Sequence, residues 1–70
     1  MASREIGVSP MYRILKKAGA ERVSSESAEE LRRATEDYAL ALARRSVELA
    51  GHARRKTVKA EDVRLSARPA

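Results

Sequence analysis

Seventy residues make one domain at most, and a net charge of +5 with 36% charged residues excludes a membrane-buried chain. Apolar content is 43%, but there is no Phe or Trp and only two Tyr, so a self-sufficient core is thin and association with another chain is favoured. With no cysteine there is neither a disulfide nor a thiolate metal site, and no apolar run has the length of a signal peptide or a membrane span, so the chain reads as soluble and intracellular.

Met1 to Val8 is a lead-in without periodicity, and residues 9–68 form the folded domain. Ser9-Pro10 opens a first short helix, with serine as the cap and proline in the first turn. Met11, Ile14, Leu15 and Ala18 fall on one apolar face, and Gly19 suits the left-handed position after the helix end. At about nine residues this helix is too short to stand alone and must pack on another.

Ala20 to Val23 connects to the element around which the chain is organised. Ser24 is the expected N-cap of a helix running to about His52, free of proline and of glycine until Gly51. Small and apolar residues recur in steps of three and four from Ala28 through Leu31, Thr35, Tyr38, Ala39, Leu42, Ser46, Leu49 and Ala50 to Ala53. They cover an arc of roughly 200°, and Leu40 and Val47 lie outside it, so more than one side of the helix needs cover. The charges Glu29, Glu30, Arg33, Glu36, Asp37, Arg44 and Glu48 read as a solvated face with a Glu29–Arg33 pair.

A helix of this length spans roughly 42 Å. A 70-residue globule is only roughly 28 Å across, from a radius of gyration of about 11 Å. The chain is too short to wrap its own rod, which implies an obligate dimer crossing near Leu31, Tyr38, Ala39, Leu42 and Ala43. After Gly51 comes the basic run Arg54-Arg55-Lys56, then Thr57, Val58 and Lys59. Ala60 to Arg68 forms a third short helix with Ala60, Val63 and Ala67 facing inward and Leu65 at the edge, ended by Pro69. The fold class is all-α, in the order short, long, short, with two connecting loops.

Charge is segregated along this plan. Ser24 to Gly51 carries four Arg against six Asp or Glu, a net of −2, leaving +7 for the remainder. Positive charge concentrated around the ends of the long helix is the footprint of a polyanion binder. Enzyme chemistry has little support: there is no Cys, one His, no phosphate-cradling glycine loop and no HExxH spacing. No cofactor, metal or small-molecule substrate is expected. His52 lacks a second ligand type nearby, which makes it a poor metal site or catalytic base, and its plainer reading is a surface histidine.

Two stretches together carry a family resemblance: Ala18-Gly19-Ala20-Glu21-Arg22-Val23-Ser24, and His52-Ala53-Arg54-Arg55-Lys56-Thr57-Val58-Lys59-Ala60-Glu61-Asp62-Val63. With the lead-in Ile6-Gly7-Val8-Ser9-Pro10, the chain resembles archaeal histones from about Ile6 to Arg68. The resemblance implies a histone fold in which two chains clasp head to tail in a handshake, setting each first loop beside the partner's second. It implies a homodimer that wraps and compacts duplex DNA with little sequence preference, at the nucleoid of a cytoplasmic chromosome. It assigns DNA contact to Arg13, Lys16, Arg22, Arg54, Arg55, Lys56, Thr57 and Lys59, with Arg22 entering the minor groove. It further implies an Arg55–Asp62 ion pair bracing the second loop, and a contact between stacked dimers through Leu49, His52 and Asp62. Free N–H groups at the starts of the first two helices suit phosphates as well. An alternative is a histone-fold protein that pairs with an unlike chain in a transcription complex.

The chain departs from the family pattern at three places. Ala34 and Thr35 stand where larger aliphatic residues are common, which costs about 1 kcal/mol or more per site in the dimer core. Gly51 replaces a helix former at the expected dimer–dimer surface, and Ser66 makes the third helix more polar.

Overall fold

A computed structural model describes residues 6–68. The first five residues of the lead-in, and the stop at Pro69, lie outside the described residues. Three helices follow in order: α1 (Ser9–Lys17), α2 (Ser25–His52) and α3 (Ala60–Ala67). No strand occurs among the described residues. Two compact units divide α2 between them, the first ending at Asp37 and the second beginning at Tyr38.

In the first unit, α1 starts differently from the sequence expectation. Ser9 is already helical, and Val8 takes the cap position without any side-chain cap. The Val8 carbonyl accepts the N–H groups of Met11 (2.9 Å) and Tyr12 (3.2 Å). Pro10 has no N–H to satisfy, so the first turn needs one capping acceptor fewer. At the other end Gly19 has φ +111°. The Ala20 N–H reaches the Leu15 carbonyl (3.1 Å) and the Gly19 N–H that of Lys16 (3.0 Å), the paired bonds of a Schellman turn.

Ser24 caps α2 as expected. Its Oγ accepts the Ser27 N–H at 3.1 Å, and the Ser27 hydroxyl returns a bond to the Ser24 carbonyl at 2.8 Å. Met11 and Ala28 are buried here. Thr35 is half-buried; its hydroxyl donates to the Leu31 carbonyl at 2.7 Å and lies 3.9 Å from Met11 Sδ.

The charged side chains of this unit do not form one solvated face. Arg32 is 5% exposed and is held by two carboxylates: its Nε donates to Glu29 Oε1 (2.6 Å) and its guanidinium to Glu36 Oε1 (3.2 Å). Glu36 Oε1 also accepts the backbone N–H of Ile6 at 3.2 Å. Arg33 pairs with Glu30 (3.1 Å) instead of Glu29. The reason is geometric. Arg32 lies one turn from the buried Ala28 on the same helix side, so its inward position draws in the carboxylates three residues before and four after it. Glu29 raises the pKa of Arg32 most, through a direct hydrogen bond.

In the second unit α2 meets α3 through small and polar residues. Ser46, Ala50, Asp62 and Ser66 are buried. The Ser46 and Ser66 hydroxyls lie 3.3 Å apart, and Arg45 donates to the Ser66 carbonyl at 2.6 Å. The inner face of α3 is therefore Asp62 and Ser66, one turn apart, and not Ala60, Val63 and Ala67, which are exposed. Polar anchoring decides the rotation of this helix: Asp62 is drawn to Arg55 and Ser66 to Ser46 and Arg45, and the apolar side chains of α3 are left facing outward.

The only buried apolar residues among those described are Met11, Ala28 and Ala50. Tyr38 is 61% exposed, Val47 59% and Leu40 49%, while Leu31 and Leu42 are half-buried and Ala39 and Ala43 exposed. A single chain leaves most of the apolar surface of α2 in water, at about 25 cal/mol per Å² of burial forgone.

Candidate nucleic-acid interface

The sequence places cations in three clusters, two in the first unit and one in the second. On α1, Arg13, Lys16 and Lys17 are exposed. The ammonium of Lys16 bonds the Glu21 carbonyl and so ties the end of α1 to the first loop. In that loop Arg22 is exposed, and no carboxylate pairs with it among the described residues. It lines a shallow hollow of about 570 Å³ with Val23, Ser24 and Ser27. The hollow joins a free guanidinium to the start of α2, where helical N–H groups carry partial positive charge.

The third cluster follows α2. The helix ends in a second Schellman turn, with the Arg55 N–H on the Ala50 carbonyl and the Arg54 N–H on that of Gly51, both at 2.9 Å. Arg54, Lys56, Thr57 and Lys59 are exposed. Arg55 is not: its guanidinium forks onto Asp62, NH1 to Oδ2 at 3.0 Å and NH2 to Oδ1 at 2.9 Å, and NH1 also reaches the Thr57 carbonyl at 3.0 Å. Asp62 Oδ2 additionally accepts the Lys59 N–H at 2.8 Å. One carboxylate thus pins the arginine, the loop and the first turn of α3.

The Arg55 fork, then the Lys59 amide, lower the Asp62 pKa from 3.8 to about 2, against the opposing effect of burial. The same pair raises the pKa of Arg55. Within the loop Arg55 and Asp62 are a structural clamp, and Arg54, Lys56 and Lys59 are the cations presented to solvent. Leu49 is half-buried and His52 exposed; they line one groove of about 520 Å³ with Arg45, Glu48, Leu65, Ser66 and Arg68. Asp62 does not line that groove; it is buried and committed to Arg55.

Sequence reading missed Arg32, whose burial is signalled only by its one-turn spacing from Ala28. Among the described residues no group of three or more His, Cys, Asp or Glu is placed to hold a metal ion, and no helix is long and apolar enough to cross a membrane.

The chain has relatives among known proteins. Residues 4–66 match the family described as histone-like transcription factor (CBF/NF-Y) and archaeal histone. The chain belongs to that family. It is 55% identical over 64 residues to "Probable archaeal histone 3" of Methanocaldococcus jannaschii, a match covering 91% of this chain and 96% of that one. It is 50% identical over 62 residues to one subunit of the archaeal histone HAN1 of Thermococcus zilligii, covering 89% and 92%.

The short–long–short order of α1, α2 and α3 is that of the histone fold. The protein is a DNA-binding histone-fold chromatin protein and not an enzyme, and it is associated with the chromosome. At the positions expected to depart from the family pattern, Ala34 is exposed, Thr35 bonds back to its own helix, Gly51 is helical and Ser66 is buried.

Proposed function

We propose that this histone acts as a homodimer that wraps and compacts duplex DNA through phosphate and minor-groove contacts. The observation that carries the reading is the state of its cations. Arg13, Arg22, Arg54, Lys56 and Lys59 are exposed, and none makes an ion pair among the described residues. Lys16 and Thr57 stand beside them. Unpaired guanidinium and ammonium groups cost no salt bridge when they meet phosphates, and they release counterions from the duplex. Base-edge readout is not needed for wrapping, and a loop arginine such as Arg22 suits the enhanced negative potential of a narrowed minor groove. Arg55 serves by holding the loop in shape through Asp62.

Dimerisation supplies the missing core. Leu31, Tyr38, Ala39, Leu42 and Ala43 form the crossing of two α2 rods, which explains why Tyr38 is open in the single chain. Leu49 and His52, backed by Asp62, then face a neighbouring dimer when dimers stack on DNA. The protein works in the cytoplasm, at the nucleoid.

A second reading, pairing with an unlike histone-fold chain, is favoured by one observation: the Thermococcus zilligii relative is named as one subunit of its histone. Light scattering on the purified chain separates the two. The homodimer reading expects a folded species of two 7.7 kDa chains, and an unfolded or aggregated chain that is rescued only by a partner rejects it. Micrococcal nuclease digestion of reconstituted DNA then tests wrapping, which expects protected fragments of discrete length; a featureless digest rejects it.

A further inference from the structure

Arg54 differs from the other loop cations in its backbone. Its φ is +58°, in the left-handed region where a non-glycine residue is uncommon, and arginine is not among the types enriched there. The Schellman turn after α2 imposes this angle. The turn after α1 has the same pair of hydrogen bonds, and there the left-handed position holds Gly19. Of two equivalent turns, then, the chain places glycine in one and arginine in the other.

Nothing among the described residues offsets that choice. The Arg54 side chain is exposed, with no carboxylate or carbonyl partner among the described residues. Its neighbour Arg55 is folded onto Asp62 and Thr57. Backbone strain held at a position whose side chain does nothing for the fold points to a use outside it.

We propose that Arg54 occupies a glycine position because its guanidinium binds a DNA phosphate, so that the second loop gains one contact and its turn loses stability. Arg55 is committed to the clamp, so Arg54 and Lys56 are the two outward cations of the basic run. The proposal rests on the DNA-binding reading above and adds that affinity and turn stability oppose each other at this one residue.

The test compares the full chain with Arg54→Gly and Arg54→Lys, measuring thermal midpoints and binding to a labelled mixed-sequence duplex by anisotropy across a range of salt. Arg54→Gly should melt about 4 °C higher, since the strain is gone. The slope of log affinity against log salt should fall by about 0.9 for each chain bound, so that a fourfold rise in salt weakens binding about 3.5-fold less per chain. Arg54→Lys should keep both the parent slope and the parent midpoint. Arg54→Gly with unchanged affinity and slope, or with a lower midpoint, overturns the proposal while salt-sensitive binding by the parent chain leaves the DNA reading intact. A parent chain with no salt-sensitive DNA binding overturns both.

Discussion

Arg55 and Asp62 lie seven residues apart on either side of the second loop, and each oxygen of the carboxylate accepts one nitrogen of the guanidinium, at 3.0 and 2.9 Å. Planar fork-to-fork pairing fixes direction as well as distance. Because Asp62 is buried and also receives the Lys59 amide, the pair sets where α3 begins and which side it turns to α2.

The pair makes stability depend on acid in a defined window. Asp62 has a folded pKa of about 2 against an ordinary 3.8. A lowered folded value means that the unfolded chain takes up the proton first. The stabilisation is therefore complete above about pH 4 and is lost as pH falls toward about 2. Asp62→Asn should be less stable than the parent at neutral pH, and the gap between the two should close through that window. Urea denaturation followed by circular dichroism at several pH values checks this, and a gap that stays constant with pH contradicts the assigned clamp.

Two glycines should respond to alanine in opposite directions. Gly19 has φ +111° and Gly51 lies within α2, and a Cβ at either meets nothing within 4 Å. Only backbone preference is left to decide. Gly19→Ala forces an L-residue into the left-handed region and should destabilise by about 1 kcal/mol. Gly51→Ala improves helix propensity and should stabilise by about 0.8 kcal/mol. Thermal melts of the two variants should shift in opposite senses.

Arg22→Ala should leave dimer mass and helix content unchanged, because no hydrogen bond or ion pair of its side chain holds the fold among the described residues. It should reduce DNA bending. A plasmid supercoiling assay reads the effect as fewer constrained supercoils per bound dimer, and topology equal to that of the parent removes Arg22 from the groove.

Duplex affinity of the parent chain should fall steeply with salt. The exposed loop and α1 cations contribute to a dimer twice over, and about six phosphate contacts cost about a thousandfold between about 50 and about 200 mM salt. Titrations at constant protein concentration measure the slope, and a flat profile is incompatible with phosphate-led wrapping.

Much of the fold was legible along the chain. The spacing of small and apolar residues from Ala28 to Ala53 marks one long helix, and Gly19 and Ser24 punctuate the first loop through preferences that depend only on neighbours along the backbone. Ser9 misled because serine before proline reads as a cap, whereas the Val8 carbonyl takes the first bonds of α1. Of the basic clusters, position was legible from the residues, and the family resemblance pointed to Arg55 as the partner of Asp62. The fork between them shows the clamp, and Arg54 and Lys56 stay exposed beside it.

Local preference, which acts over a few residues, was enough for the sequence to settle the order of the three helices, the turn at Gly19 and the segregation of positive charge into the loops and α1; the turn at Arg54 carries no such local signal. Tertiary structure alone decided that Arg32 turns inward between Glu29 and Glu36 and that α3 presents Asp62 and Ser66, not its aliphatic side chains, to α2. The physical reason is that a buried polar group must be paired. Asp62 and Ser66 find partners on other segments, in Arg55, Ser46 and Arg45, which no periodicity records, whereas the partners of Arg32 lie one turn away on α2 and only packing decides that this side of the helix is buried.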